Sequence, residues 1–241
     1  MAQVPKERIP LPKLMEAVLP HQATVYVTAL NIIQCLALGF LVVELRTLSN
    51  ENKLSVDCMW RSALALTVIL AIWHRYVAES QYLWPMSWLD TLGPFSIGLA
   101  EFVMIFCLNA EKVASHKFVL IIVVLQFLAM SVYINVYFTR SSKMTERLYE
   151  EFYKDTPRFA FYLTTTLKMY SVLNMRMMGY FLAQTIVFMA FILVFPSKMY
   201  EMFFSMVCIL TMIAGENLRG FHTYLTNSPI LGDYFTKGGE P

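Results

Sequence analysis

Apolar residues run on for about 20 positions at a time in this chain, the length a helix needs to cross the hydrocarbon core of a bilayer. Six segments have this character: Ala23–Leu45, Arg61–Val77, Leu89–Leu108, Phe118–Phe138, Met177–Phe195 and Met199–Ala214. Lipid offers no partner to a backbone N–H or C=O, so each segment must close its own hydrogen bonds as an α-helix. The second and last are short for a span and need their flanking residues, or a locally thinner membrane. Composition agrees: 57% of the residues are hydrophobic and 15% charged, and the mean hydropathy is +0.53. Soluble domains carry about 45–50% apolar and about 25% charged residues. The expected fold is an all-α integral membrane protein, a bundle of about six transmembrane helices in contact with the lipid bilayer.

Residues 1–22 form a polar N-terminal segment with Lys6, Arg8, Lys13 and several prolines, and no apolar run resembling a cleavable signal peptide. Spans 1–4 then occupy 23–138, a connection 139–176, spans 5–6 177–222 and a tail 223–241. With both termini cytoplasmic, 13 of the 19 Lys and Arg residues fall on the cytoplasmic side, as the positive-inside rule requires. No N-x-S/T sequon is present, which fits a bacterial inner (plasma) membrane.

The long connection has structure of its own. Met144, Leu148 and Phe152 recur every four residues after Thr145, and Thr156-Pro157 punctuates the pattern. Phe159, Tyr162, Leu163, Leu167 and Tyr170 then mark a second stripe. Two short amphipathic helices at the cytoplasmic surface are expected, an elbow between spans 4 and 5. The elbow either packs under its own bundle or offers Arg147, Phe152 and Arg158 to a cytosolic protein partner.

Polar residues inside the spans are few. At 100° per residue, Asp90, Pro94, Ile97, Glu101, Ile105 and Leu108 share one face of the third segment. An ionised carboxylate near the bilayer centre costs about 2.5–3.5 kcal/mol or more, so such a group faces the bundle interior and marks an ion or proton path by default. The alternative is a neutral carboxyl hydrogen-bonded to a neighbouring helix. The first segment adds Thr28, Asn31 and Gln34 on one side, groups able to replace part of an ion's hydration shell. The expected pathway is therefore Glu101 at mid-depth, Asp90 at the inner mouth, and Asn31, Gln34 and Thr28 as lining. Ser131, Asn135 and Thr139 in the fourth segment, and Glu201, Ser205, Cys208 and Glu216 in the last, form weaker polar seams that fit a homo-oligomer. Glu216 and Arg219 lie one turn apart, so a local ion pair is the simplest reading. Arg75 is placed to extend toward the headgroups.

Other classes of function find little support. No Walker loop, GxGxxG, HExxH or GxSxG is present, so no enzyme is expected. The basic residues sit in loops between apolar runs rather than on one face, which argues against nucleic acid. Cys35, Cys58, Cys107 and Cys208 have no metal-ligand spacing and are expected as buried thiols, with a Cys58–Cys107 disulfide as a minor alternative. His21, His74 and His222 all fall toward the cytoplasmic face, where two imidazoles can hold a haem iron in an electron-transfer subunit. No pair has i,i+4 spacing, so no cofactor is expected. Size and span count are similar to those of the six-helix potassium channels with Phe-Ser-Asp in their first helix. At the corresponding place stand Ala29-Leu30-Asn31, followed by Leu41-Val42-Val43-Glu44-Leu45. The motif is not carried, and the similarity implies nothing about ion selectivity.

Overall fold

The computed structural model describes residues 11–80, 88–134, 141–194 and 198–236, with side chains described over 27–77, 92–132, 134, 143–169, 171–194 and 199–218. Over these residues it is helical, without strands: α1 (Leu11–Asn50), α2 (Val56–Ser80), α3 (Trp88–Phe106), α4 (Ser115–Ile134), α5 (Ser141–Phe152), α6 (Pro157–Val194) and α7 (Lys198–Thr236). Five helices, α1, α2, α4, α6 and α7, are long and apolar enough to cross a membrane; the apolar stretch of α3, Leu92–Phe106, is shorter. The chain is an α-helical, multi-pass membrane protein.

Local chemistry sets the ends. Asn52 takes a left-handed φ of 56° in the turn between α1 and α2, a conformation Asn tolerates better than most residues. Ser55 Oγ accepts the Cys58 N–H at 3.3 Å and caps α2. The flanks thereby lengthen the short second apolar segment to 25 residues. At the far end of α3, Asn109 Oδ1 accepts the N–H groups of Glu111 and Lys112 at 3.0 and 3.2 Å and closes a tight side-chain turn before α4.

The connection after α4 differs from the expected pair of short surface helices. Only α5 is short. Pro157 opens α6 at a position where its missing N–H costs nothing, and α6 then runs 38 residues without a break. The step from a polar to an apolar sequence near residue 176 changes what the helix touches, not its backbone, because no proline follows until Pro196. On α5 the buried residues are Thr145, Leu148 and Tyr149, while Met144 is exposed. The inward face is thus turned away from the expected Met144-Leu148-Phe152 stripe. Tyr149 joins Leu30, Tyr76, Ile97, Ala129 and Leu167 in one buried cluster, so α5 lies against one end of its own bundle.

Six helices close a ring in the order α1, α2, α7, α6, α4, α3, with α2 touching α3 and α4 touching α7 across it. A main apolar cluster fills the ring with Ala37, Leu41, Leu64, Val68, Met104, Ile122 and Phe204. Lipid is as apolar as these side chains, so close packing and interhelical hydrogen bonds, rather than escape from water, hold such helices together.

Candidate functional site

Two ionic contacts tie α2 to α7 and set a depth scale. Arg61 and Glu201, 1% and 2% exposed, are joined by Arg61 Nε donating to Glu201 Oε1, with Nη2 at 3.0 Å from Oε2. The remaining donors of Arg61 are also used: Nη1 reaches the Cys107 carbonyl at 2.8 Å and Nη2 the Val113 carbonyl at 2.9 Å. These two carbonyls flank the turn that Asn109 organises. The guanidinium carbon lies 4.8 Å from the centroid of the Phe118 ring. A buried charge needs this degree of satisfaction, because removal from water costs several kcal/mol per ion. At the other end, Arg75 Nε donates to Glu216 Oε1 at 2.9 Å, and His74 Nδ1 lies 2.8 Å from Glu216 Oε2. Of the expected Glu216–Arg219 pair, the Arg219 side chain lies outside the described residues. Arg75 turns inward to α7 instead of reaching for headgroups. Residue 61 pairs with 201 and 75 with 216, so α2 and α7 run parallel, and at 1.5 Å per residue the two contacts are about 21 Å apart.

Glu101 lies between these levels. Cys107, whose carbonyl meets Arg61, directly follows the last residue of α3 and is six positions beyond Glu101, which places Glu101 about 9 Å from the Arg61 level. Its side chain is 0% exposed. Its partner is Gln34 of α1, whose Nε2 donates to Oε2 at 3.2 Å and to Oε1 at 3.4 Å. No described cation pairs with it. Gln34 is 4% exposed, and its Oε1 is buried without a donor. Gly98, one turn before Glu101, permits this close approach: a Cβ there would lie 2.5 Å from Ile33 Cγ2 on α1. Of the helices packed on α3, α1 brings Gln34, and α2 brings Arg61, already bound to Glu201. Between Lys117 and Val132, α4 carries no acid or base.

The other expected pathway residues do not join this pair. Thr28 and Asn31 are exposed on the outside of α1, where Asn31 Oδ1 accepts the Trp73 Nε1–H at 2.8 Å. α2 docks beside the stripe and leaves Asn31 at the rim while Gln34 enters the seam. The side chain of Asp90 lies outside the described residues, as do Asn135 and Thr139. Ser131 is exposed and donates to the Phe127 carbonyl of its own helix. Ser205 and Cys208 are buried on α7. A cavity of about 60 Å³ between α2, α4, α6 and α7 is lined by Val68, Ile72, Arg75, Gln126, Cys208 and Met212 among others, and Glu101 is not part of its wall.

All four cysteines are free, and Cys58 Sγ accepts the Ala110 N–H at 3.4 Å. Among the described residues no group of three His, Cys, Asp or Glu side chains is placed to hold a metal. His21 and His222 lie outside the described side chains. On the surface around α5, Arg147 and Arg158 are exposed, and Phe152 packs edge-on against Tyr153 at 4.9 Å.

No family model, curated protein or solved structure matches the chain. Geometry alone carries the functional reading. These interhelical pairings escape inspection of single segments, yet two of them have a sequence correlate. Gln34 and Glu101 stand about a dozen residues into segments that run in the same direction, and Arg61 and Glu201 both open segments that start on the same side.

Proposed function

We propose that the chain forms an ion- or proton-conducting pathway through the membrane, as a channel or transporter subunit, with Glu101 as its mid-depth acid and Gln34 as the residue that holds it. One observation carries this reading: a carboxyl group with no exposed surface, at mid-depth in the bundle, hydrogen-bonded by one amide. A tie between α1 and α3 needs no acid, since two amides or hydroxyls provide it without the cost of a potential charge in a dry site. Arg61 and Glu216 have partners of opposite sign; Glu101 has a neutral one. In this reading α3 counts as the sixth span, its 19 residues giving about 28 Å of helix. The Arg75 end faces the cytoplasm of a bacterial cell with both termini, in line with the Lys and Arg distribution, and the chain catalyses no covalent step. Thr28, Asn31 and the whole of α1's exposed face belong to lipid or to a second copy in a homo-oligomer.

The test is flux in proteoliposomes under potassium and proton gradients, comparing wild type with Glu101→Gln at equal reconstitution. Glu101-dependent flux supports the reading; equal flux, or none in either, removes it.

A second reading is favoured by a different observation. Phe161 is 73% exposed, Arg158 is exposed three residues before it and Arg147 is exposed on α5, on the part of the chain that precedes the apolar half of α6. This corner recruits a cytosolic protein if charge reversal at Arg147 and Arg158 abolishes co-purification of one partner from native membranes while the bundle remains folded.

A further inference from the structure

We infer that the ion handled at Glu101 is the proton, and that the Gln34 amide turns over to follow it. The inference rests on the pathway reading above and names its substrate.

Ligand number separates the candidates. A metal cation stripped of water in a protein site takes roughly six to eight oxygen ligands, and a selectivity filter supplies them as rings of carbonyls. The seam between α1 and α3 supplies at most three oxygens: two from Glu101 and Oε1 of Gln34. Along the two helices their neighbours are Ile33, Ala37, Ile97, Ala100, Met104 and Ile105, all buried and apolar. Gln126 of α4, whose Oε1 is also buried without a donor, lines the cavity whose wall does not include Glu101, and no group of three His, Cys, Asp or Glu side chains placed to hold a metal occurs among the described residues. A proton needs one lone pair.

The hydrogen bonding fits both states of such a site. With Glu101 ionised, Gln34 Nε2 donates to the carboxylate, as its distances of 3.2 and 3.4 Å to the two oxygens allow. When a proton binds, the carboxylate becomes a carboxylic acid and no other bond breaks. The acid then has an O–H to donate, and in this buried place it requires an acceptor. Gln34 Oε1 is buried and has no donor. Rotation of the amide by half a turn about its last side-chain bond brings Oε1 to the acid and swings Nε2 away. The two ends of an amide are a donor and an acceptor of nearly equal size, so one residue offers Glu101 a donor in one state and an acceptor in the other without displacing α1 from α3; in each state the end turned away from Glu101 is the unpaired one. A second carboxylate would repel the ionised form, and a hydroxyl would offer a shorter reach. Gln34 is therefore a positioning residue, and Glu101 the group that carries the proton.

The charged groups facing this pair are distant or committed. Arg61 is bound to Glu201, about 9 Å along the bundle, and Glu44 lies ten residues past Gln34 on α1.

The experiment uses the full chain in liposomes. Proton uptake under a pH gradient is measured beside uptake of sodium and of potassium, for wild type, Glu101→Gln and Gln34→Met, with circular dichroism to establish that each variant keeps its helix content. Infrared spectra in H₂O and D₂O identify the carboxylic C=O band that disappears in Glu101→Gln. Proton flux is expected to fall about a hundredfold in Glu101→Gln, the lower end of what a positioned proton-transfer group contributes, with no Glu101-dependent movement of sodium or potassium. In Gln34→Met the same carboxylic band is expected to shift, because its hydrogen-bond partner is gone while the helix packing remains. Glu101-dependent sodium or potassium uptake overturns the proton assignment and leaves the pathway standing. Absence of any Glu101-dependent flux overturns the pathway itself. A band unmoved by Gln34→Met overturns the role of the amide.

Discussion

Arg61 and Glu201 meet across α2 and α7 with both side chains almost wholly shut from solvent, and every nitrogen of the guanidinium is engaged. Removal of one partner leaves the other charge buried and uncompensated. Glu201→Leu is expected to lower stability by about 3–5 kcal/mol. The double variant Arg61→Met/Glu201→Leu should be more stable than Glu201→Leu alone, since it removes the stranded charge. Denaturant unfolding in detergent micelles measures both; a double variant no better than the single would show that the two backbone carbonyls, not Glu201, make Arg61 necessary.

The pairing at the other end of α2 is wetter, and the side chains of Arg75 and Glu216 are 14% and 18% exposed. Glu216→Gln should therefore cost less, about 1 kcal/mol or below. Salt screens partly exposed pairs more than buried ones, so the stability difference between Glu216→Gln and wild type should shrink between low and high ionic strength. The difference for Glu201→Leu should not.

Gly98 tests whether the approach of α1 to α3 matters for the acid. Gly98→Val places side-chain atoms where Ile33 Cγ2 now lies and should separate Gln34 from Glu101, with loss of the Glu101-dependent flux. Ile33→Ala in the same chain frees that space and should restore it. Failure of the second substitution to rescue flux would separate the close approach from the activity.

On α5 the two faces should respond differently. Tyr149→Ala removes a ring that is 1% exposed and is expected to cost about 3 kcal/mol. Arg147→Glu on the exposed face should change stability by no more than about 0.5 kcal/mol. Thermal melts of the two variants make the comparison. Equal effects would mean that α5 does not pack on the bundle in the membrane.

Partial burial raises the Tyr153 phenol above its usual value, at the junction of α5 and α6. The unfolded phenol loses its proton near pH 10, before the folded one does. The unfolded state therefore binds fewer protons in that window, and stability declines as pH rises from about 10 through the folded value. Tyr153→Phe should remove this part of the alkaline slope and leave stability near neutral pH unchanged. The slope is read from unfolding midpoints between pH 9 and 11, and an identical slope in the variant would place its origin elsewhere.

Particular residues show what a linear reading can and cannot reach. Glu101 stood out at once, because one carboxylate in an apolar run has a cost set by the surrounding lipid whatever the tertiary arrangement. Gln34 was visible as a polar residue in a span, but it shared its stripe with Thr28 and Asn31, and helical periodicity assigns all three one face about equally. Only the position of α2 divides them, because Trp73 meets Asn31 at the rim while Gln34 passes into the seam with α3. Glu216 has a local cation one turn away in Arg219, and nothing in the linear pattern points to its bond with Arg75, 141 positions distant. The helix α5 was legible as an amphipathic pattern ending before Pro157. The unbroken run of α6 was not, because the hydropathy changes along it while the backbone does not break.

Length and apolarity of the segments by themselves determined that this chain is helical and crosses a membrane several times, since a backbone in lipid has no partner but itself. The same one-dimensional information singled out Glu101. Pairing was decided by tertiary structure alone: Arg61 with Glu201, Arg75 with Glu216, Gln34 with Glu101. These contacts depend on the order of helices around the ring and on their depth relative to one another, and in a bilayer any apolar face packs about as well against lipid as against a neighbour. A few polar side chains therefore select the arrangement, and which of them meet becomes visible only once the helices stand side by side.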